Sequence, residues 1–191
     1  MTDALIDRVR ACRLCADHLP ESPRPILQFD RRARLLIAGQ APGIRAHQAG
    51  VPFQDASGNR LRDWLGLDND TFYDPAQIAI IPMGFCYPGH AASGDAPPRP
   101  ECAPAWRNAL LAQLSQLQLT LIIGRHALDW HWPEAADLTS AVRAGLNEKR
   151  QALPHPSPRN NGWLKRHPWF ETDTLPSLRA AVAQALGGQR R

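Results

Sequence analysis

Three short apolar runs, Arg34–Ala38, Ile78–Ile81 and Leu119–Gly124, each break off at a Gly or Pro turn and are followed, directly or after a loop, by a segment with helical spacing. Runs of that length and composition suit strands buried on both faces, because a half-exposed strand would alternate apolar and polar residues. Strands that alternate with helices imply a parallel sheet, since parallel neighbours need a crossover between them. The spacing predicts helices over Ala4–Cys15, Ser57–Leu65, Glu101–Leu114, Arg125–Trp130, Leu138–Asn147 and Leu175–Leu186. Ser57 is the expected N-cap of the second of these, Leu61, Trp64 and Leu65 its buried face, and Gly66 its stop. A last short strand ends at Leu153, and His18–Pro25 reads as a proline-interrupted linker.

With 191 residues the chain suits one domain with a single core and no need of disulfide support. Hydrophobic residues at 43% and charged residues at 21% exclude a chain disordered throughout. No run of about 18 apolar residues marks a membrane span. Met1–Ala4 has no basic stretch leading into an apolar one, so a cytoplasmic protein is expected. The net charge of +4 suits a polyanionic partner. Its distribution is more informative: Arg31, Arg32 and Arg34 precede the first strand, Arg143, Lys149 and Arg150 form a second group, and Arg159, Lys165, Arg166 and His167 a third.

The first apolar run leads into Gly39-Gln40-Ala41-Pro42-Gly43, and Pro52-Phe53 follows shortly after. Ligands of open α/β sheets bind at the carboxyl ends of the strands, where such a turn presents backbone N–H groups. Gly39 and Gly43 allow close approach, and Phe53 offers a flat apolar wall beside whatever the turn holds. At the end of the last strand His155 stands between Pro154 and Pro156, and Ser157, Pro158, Arg159, Asn160, Asn161 and Gly162 follow. The prolines stiffen the backbone of a histidine placed to donate a hydrogen bond. The cysteines are grouped as a Cys12-x-x-Cys15 pair with Cys86 and Cys102. Four thiolates so arranged suit Zn²⁺ or an iron–sulfur cluster, and spacing does not choose between them; buried free thiols are the alternative. The loop between Cys86 and Cys102 has no periodicity, and loops of that length usually carry function.

Taken together, Gly39–Gly43, Pro52-Phe53, the four cysteines and His155-Pro156-Ser157 resemble the uracil-DNA glycosylase superfamily, and within it the iron–sulfur-containing bacterial and archaeal branches. The resemblance runs from Cys12 to the C-terminal helix and treats 1–191 as one domain. It implies a three-layer α/β/α sandwich with a four-stranded parallel sheet, and a structural [4Fe-4S] cluster on Cys12, Cys15, Cys86 and Cys102, with zinc as the alternative. It implies a monomer whose partner is DNA containing a damaged or deaminated base, uracil foremost. Gly39, Gln40, Ala41 and Gly43 would cradle a flipped-out base, Phe53 would stack on it, Gln40 would orient the attacking water, and His155 would stabilise the departing base. The loop with Ser157, Arg159 and Asn160 would enter the minor groove, while Arg159, Lys165 and Arg166 neutralise phosphates. Two positions depart from the family pattern. Pro82 stands where the iron–sulfur branches carry an Asn that reads uracil, and Gln40 where an acid is often found. A protein that binds damaged DNA without turnover, and a zinc-stabilised nucleotide-binding or hydrolase domain, are the competing expectations.

Overall fold

The structure is a computed structural model that describes residues 4–92 and 94–187. Along the chain run α1 (Ala4–Arg10), β1 (Leu35–Ala38), α2 (Ile44–Ala49), α3 (Ala56–Leu65), α4 (Asn69–Phe72), β2 (Ile78–Ile80), β3 (His90–Ala91), β4 (Gly94–Asp95), α5 (Cys102–Leu111), β5 (Leu119–Ile123), α6 (Arg125–His131), α7 (Leu138–Arg143), β6 (Arg150–Leu153), α8 (Asn161–Arg166) and α9 (Leu175–Ala185). Strands β2, β1, β5 and β6 form one parallel sheet in that order. The fold is therefore the expected α/β one, a four-stranded parallel sheet flanked by helices.

Alternating residues of each strand face opposite sides. Leu35, Ile37, Ile78, Ile80, Leu121 and Ile123 pack with Leu61, Trp64 and Leu65 of α3 and with Leu178 and Val182 of α9. The residues between them, Leu36, Ala79 and Ile81, pack with Ile6 and Val9 of α1 and with Leu110 of α5. Burying both faces is why the strands read as continuous apolar runs rather than as alternating ones. No helix among the described residues is long and apolar enough to cross a membrane.

Several boundaries differ from the sequence expectation. The first helix ends at Arg10, so Cys12 and Cys15 lie beyond it rather than inside it. The helices expected to reach Leu114 and Asn147 stop at Leu111 and Arg143. Helix α3 is capped by Asp55, whose carboxylate accepts from Gly58 N at 2.9 Å, and Ser57 falls inside its first turn. The extended backbone at Asp55 places the cap there rather than at Ser57, and its charge also meets the positive end of the helix dipole. Helix α2 and the β3–β4 hairpin were not anticipated; at six and two-plus-two residues they are too short to show a period.

Candidate active site

The turn after β1 is locked to the segment after β2. Met83 N donates to Gly39 O and Gly84 N to Gln40 O, both at 2.9 Å. Gln40 Nε2 donates to Ala96 O at 3.3 Å, tying the turn to the end of the β3–β4 hairpin. Gly39, Gln40, Ala41 and Pro42 line a cavity of about 300 Å³ together with Phe53, Asp55, Pro82, Asp95, His155, Ser157, Arg159 and Asn160. Gly43 lies just outside that lining as the N-cap of α2.

Phe53 is held in an unusual backbone state, with φ +56°. A bulky residue in the left-handed region is strained unless its surroundings fix it. Here they do. Tyr73 Oη lies 3.2 Å from the carbonyl oxygens of both Pro52 and Phe53, and Arg62 in turn donates to Tyr73 Oη. Gly58, in the first turn of α3, lies so close to the Phe53 carbonyl that a Cβ there would collide with it. The Phe53 ring meets Phe72 edge-on at 6.3 Å between centroids, and one of its carbons is 3.4 Å from the point where Gly39 would carry a Cβ. The aromatic wall and the polar turn are thus packed directly against each other.

His155 reaches the same cavity from the end of β6. Ser157 N donates to His155 Nδ1 at 3.2 Å, so Nδ1 is the acceptor and Nε2 carries the proton. Burial lowers the pKa of His155 below the usual histidine value of 6.5; the charges of Asp55 and Asp95 oppose that shift and Arg159 reinforces it. The result is a neutral imidazole with one N–H left to donate. The following loop is braced around it: Asn160 Nδ2 donates to His155 O at 2.7 Å, and Arg60 Nη1 to Ser157 O at 3.2 Å. Arg159 covers Gly94 of the hairpin so closely that a Cβ on Gly94 would meet its guanidinium. Lys165 and Arg166 lie further along on α8, in its last turn, away from the cavity lining.

Asp95 is a lining residue that the sequence did not single out. Its only signal was its place in the long loop between Cys86 and Cys102. Arg107 was missed too. It is fully buried on α5 and donates to Ile81 O and, at 2.8 Å, to Pro82 O, so it fixes Pro82 from behind the cavity. A second guanidinium nitrogen donates to His131 Nε2. Burial, with the charges of Arg107 and Arg150, pushes His131 down to about 3.

The four cysteines, far apart in the chain, lie near enough to influence one another electrostatically. The charges of Cys86, Cys15 and Cys12 all act on Cys102, those of Cys15 and Cys12 on Cys86, and that of Cys12 on Cys15. Each sulfur also faces a backbone N–H. Leu14 N points to Cys12 Sγ at 3.5 Å and Phe85 N to Cys102 Sγ at 3.4 Å, while Arg24 supplies one for Cys86 and Cys15 its own. Burial above all, with the neighbouring thiols adding, pushes Cys86 up to about 11 and Cys102 to about 12. Among the described residues no three His, Cys, Asp or Glu side chains are gathered as a single metal ion requires.

Two comparisons with known proteins bear on this arrangement. Residues 27–179 match the family model described as the uracil DNA glycosylase superfamily. The fold is similar to the solution NMR structure of a putative uracil DNA glycosylase from Methanosarcina acetivorans, with a TM-score of 0.50 and 17% sequence identity over 83% of this chain and 97% of that one. At that identity the likeness speaks to the fold.

Proposed function

Since the chain belongs to the uracil DNA glycosylase superfamily, we propose that it is a DNA glycosylase that hydrolyses the N-glycosidic bond of a deaminated base in DNA, uracil foremost. One observation carries this reading. The Gly39–Pro42 turn from β1 and His155 from β6 line a single cavity with Phe53, although β5 lies between those two strands. A flat apolar wall beside a polar turn and a lone imidazole donor is what an extruded nucleobase requires.

Breaking the C1′–N bond leaves negative charge on the base and positive charge on the sugar. Catalysis therefore consists largely of donors aimed in advance at the base. His155, neutral and with its Nε2–H free, donates to the departing base. Phe53 stacks on its face. Ser157 and Asn160 hold the histidine loop in shape, and Arg159, Lys165 and Arg166 meet the phosphates. Pro82 offers no side-chain donor or acceptor to the base edge, so recognition there falls to backbone groups and to the other lining side chains.

Cys12, Cys15, Cys86 and Cys102 are proposed to hold a [4Fe-4S] cluster, supported by their mutual proximity and by the N–H groups facing each sulfur. Its contribution is structural: it joins the segment after α1, the segment after β2 and the start of α5. The loop from Cys86 to Cys102 is thereby closed at both ends, which removes much of its conformational freedom.

The test is to incubate the purified protein with oligonucleotides carrying uracil, hypoxanthine or xanthine and to cleave abasic sites with alkali. Strand scission at one of these bases establishes turnover and names the base. The competing reading, a damaged-base binder without turnover, rests on the lack of a carboxylate in Gly39–Gly43, and binding without scission is its signature.

A further inference from the structure

The hairpin between Cys86 and Cys102 brings a carboxylate to a cavity whose first turn has none. We propose that Asp95 is the group that accepts the proton of the water attacking C1′, an inference that rests on the glycosylase reading above. Gln40, where an acid is often found, is an amide and cannot take a proton. Its Nε2 is moreover engaged with Ala96 O, the residue next to Asp95. That same bond fixes the strand from which Asp95 projects, and Ala96 N donates to Gly89 O at 2.8 Å to close the hairpin base.

Among the described residues two carboxylates line the cavity, Asp55 and Asp95. Asp55 is occupied: its Oδ1 accepts from Gly58 N and caps α3. Among the described residues no backbone N–H donates to the Asp95 carboxylate; its side-chain neighbour is His90, whose Nδ1 lies 3.6 Å from Asp95 Oδ1. The other oxygen, Oδ2, reaches over the end of the first turn, 3.1 Å from where a Cβ on Gly43 would stand. The missing side chain at Gly43 is what leaves room for it. The Asp95 side chain is 37% exposed. It therefore sits at the rim, where sugar and water would lie, while Pro82 and Phe53 form the apolar part of the lining. Asp95 and His155 line the same cavity, and the charge of Asp95, like the larger influence of Asp55, acts on the imidazole.

In the step itself the C1′–N bond breaks and its electron pair goes to the base, held by the His155 Nε2–H. Water oxygen bonds to C1′, and the proton it loses passes to the Asp95 carboxylate and from there to solvent. The base anion is reprotonated from solvent, so the products are free base and an abasic site, with one water consumed.

A carboxylate at the rim of a basic DNA-binding surface repels phosphates, and this gives the test its signature. Single-turnover release of the excised base and DNA affinity are measured for wild type, Asp95→Asn and Asp55→Asn. Asp95→Asn is expected to slow base release about 100-fold, within the usual range for a lost general base, while binding DNA as tightly as wild type or more tightly. Release at the wild-type rate overturns the proposal. So does loss of rate and binding together, which marks Asp95 as merely structural, and so does a greater loss of rate in Asp55→Asn than in Asp95→Asn. Wild type releasing none of the three bases is a distinct result, because it overturns the glycosylase reading as well.

Discussion

Ser157 gives its backbone N–H to Nδ1 of His155 at 3.2 Å, and that one contact decides what the imidazole can do. With Nδ1 accepting and burial keeping the ring neutral, Nε2–H becomes a fixed hydrogen-bond donor instead of a proton source. His155→Ala is expected to lower the rate of base release by about 10²- to 10³-fold, the usual cost of removing one aimed donor, with DNA binding retained. Single-turnover kinetics beside a binding titration check it. In NMR the His155 ring protons should titrate with a midpoint below 6.5, since burial lowers its pKa.

Gly58→Ala places a methyl group against the Phe53 carbonyl, which is backbone and cannot swing away. Overpacking of this kind costs about 1–3 kcal/mol. The specific expectation is a fall in thermal midpoint together with loss of base release, because Phe53 must leave its strained position beside Gly39. Normal kinetics in Gly58→Ala would show that the Phe53 ring is not needed where it stands.

His131 makes stability fall with acid. Its usual value of 6.5 is depressed to about 3 in the folded protein, chiefly by burial. Between those values the unfolded chain binds a proton that the folded chain does not, so stability is full above pH 6.5 and declines as pH falls toward about 3. His131→Gln, which keeps an acceptor for Arg107, should show a shallower decline. Denaturant midpoints at pH 7 and pH 4.5 for both proteins measure the difference, which isolates His131 from the carboxylates that titrate in the same range.

Arg159 and Lys165 are expected to act through phosphate charge. Replacing either with Ala should weaken DNA binding uniformly across sequences and reduce the slope of log affinity against log salt by about 1. Arg159→Ala should also slow base release, since Arg159 lies against Gly94 beside Asp95, whereas Lys165→Ala should leave release from bound DNA unchanged. Binding measured at several salt concentrations separates charge from catalysis.

Cys102→Ser tests the cluster. Protein purified anaerobically is expected to show broad visible absorption and stoichiometric iron, and Cys102→Ser to lose both. Protease cleavage between residues 86 and 102 should then increase, because the loop is no longer tied at its second end. A colourless wild type that binds one zinc would replace the cluster with a single ion.

Much of the scaffold is legible in the sequence. Leu35–Ala38, Ile78–Ile80 and Leu119–Ile123 form strands where their apolar runs predicted, because burial on both faces leaves no room for polar alternation. The Gly39–Pro42 turn, Phe53 and His155 line one cavity as the strand-end rule anticipates for an open parallel sheet. Helix ends were read less well. Asp55 replaced Ser57 as cap because both residues satisfy the same rule, and only the backbone geometry at Asp55 selects between them.

What the sequence by itself determined is local: which segments bury both faces, where the chain must turn, and which residues carry thiol, imidazole or positive charge. The tertiary structure alone decided which of these meet. Asp95 reaches the cavity because the hairpin folds back until Ala96 O receives Gln40, and Arg107 supports Pro82 because α5 lies behind the carboxyl end of β2. Neither contact leaves a trace in periodicity, since each joins side chains to distant backbone carbonyls whose positions follow from the packing of whole elements and not from the residues that flank them.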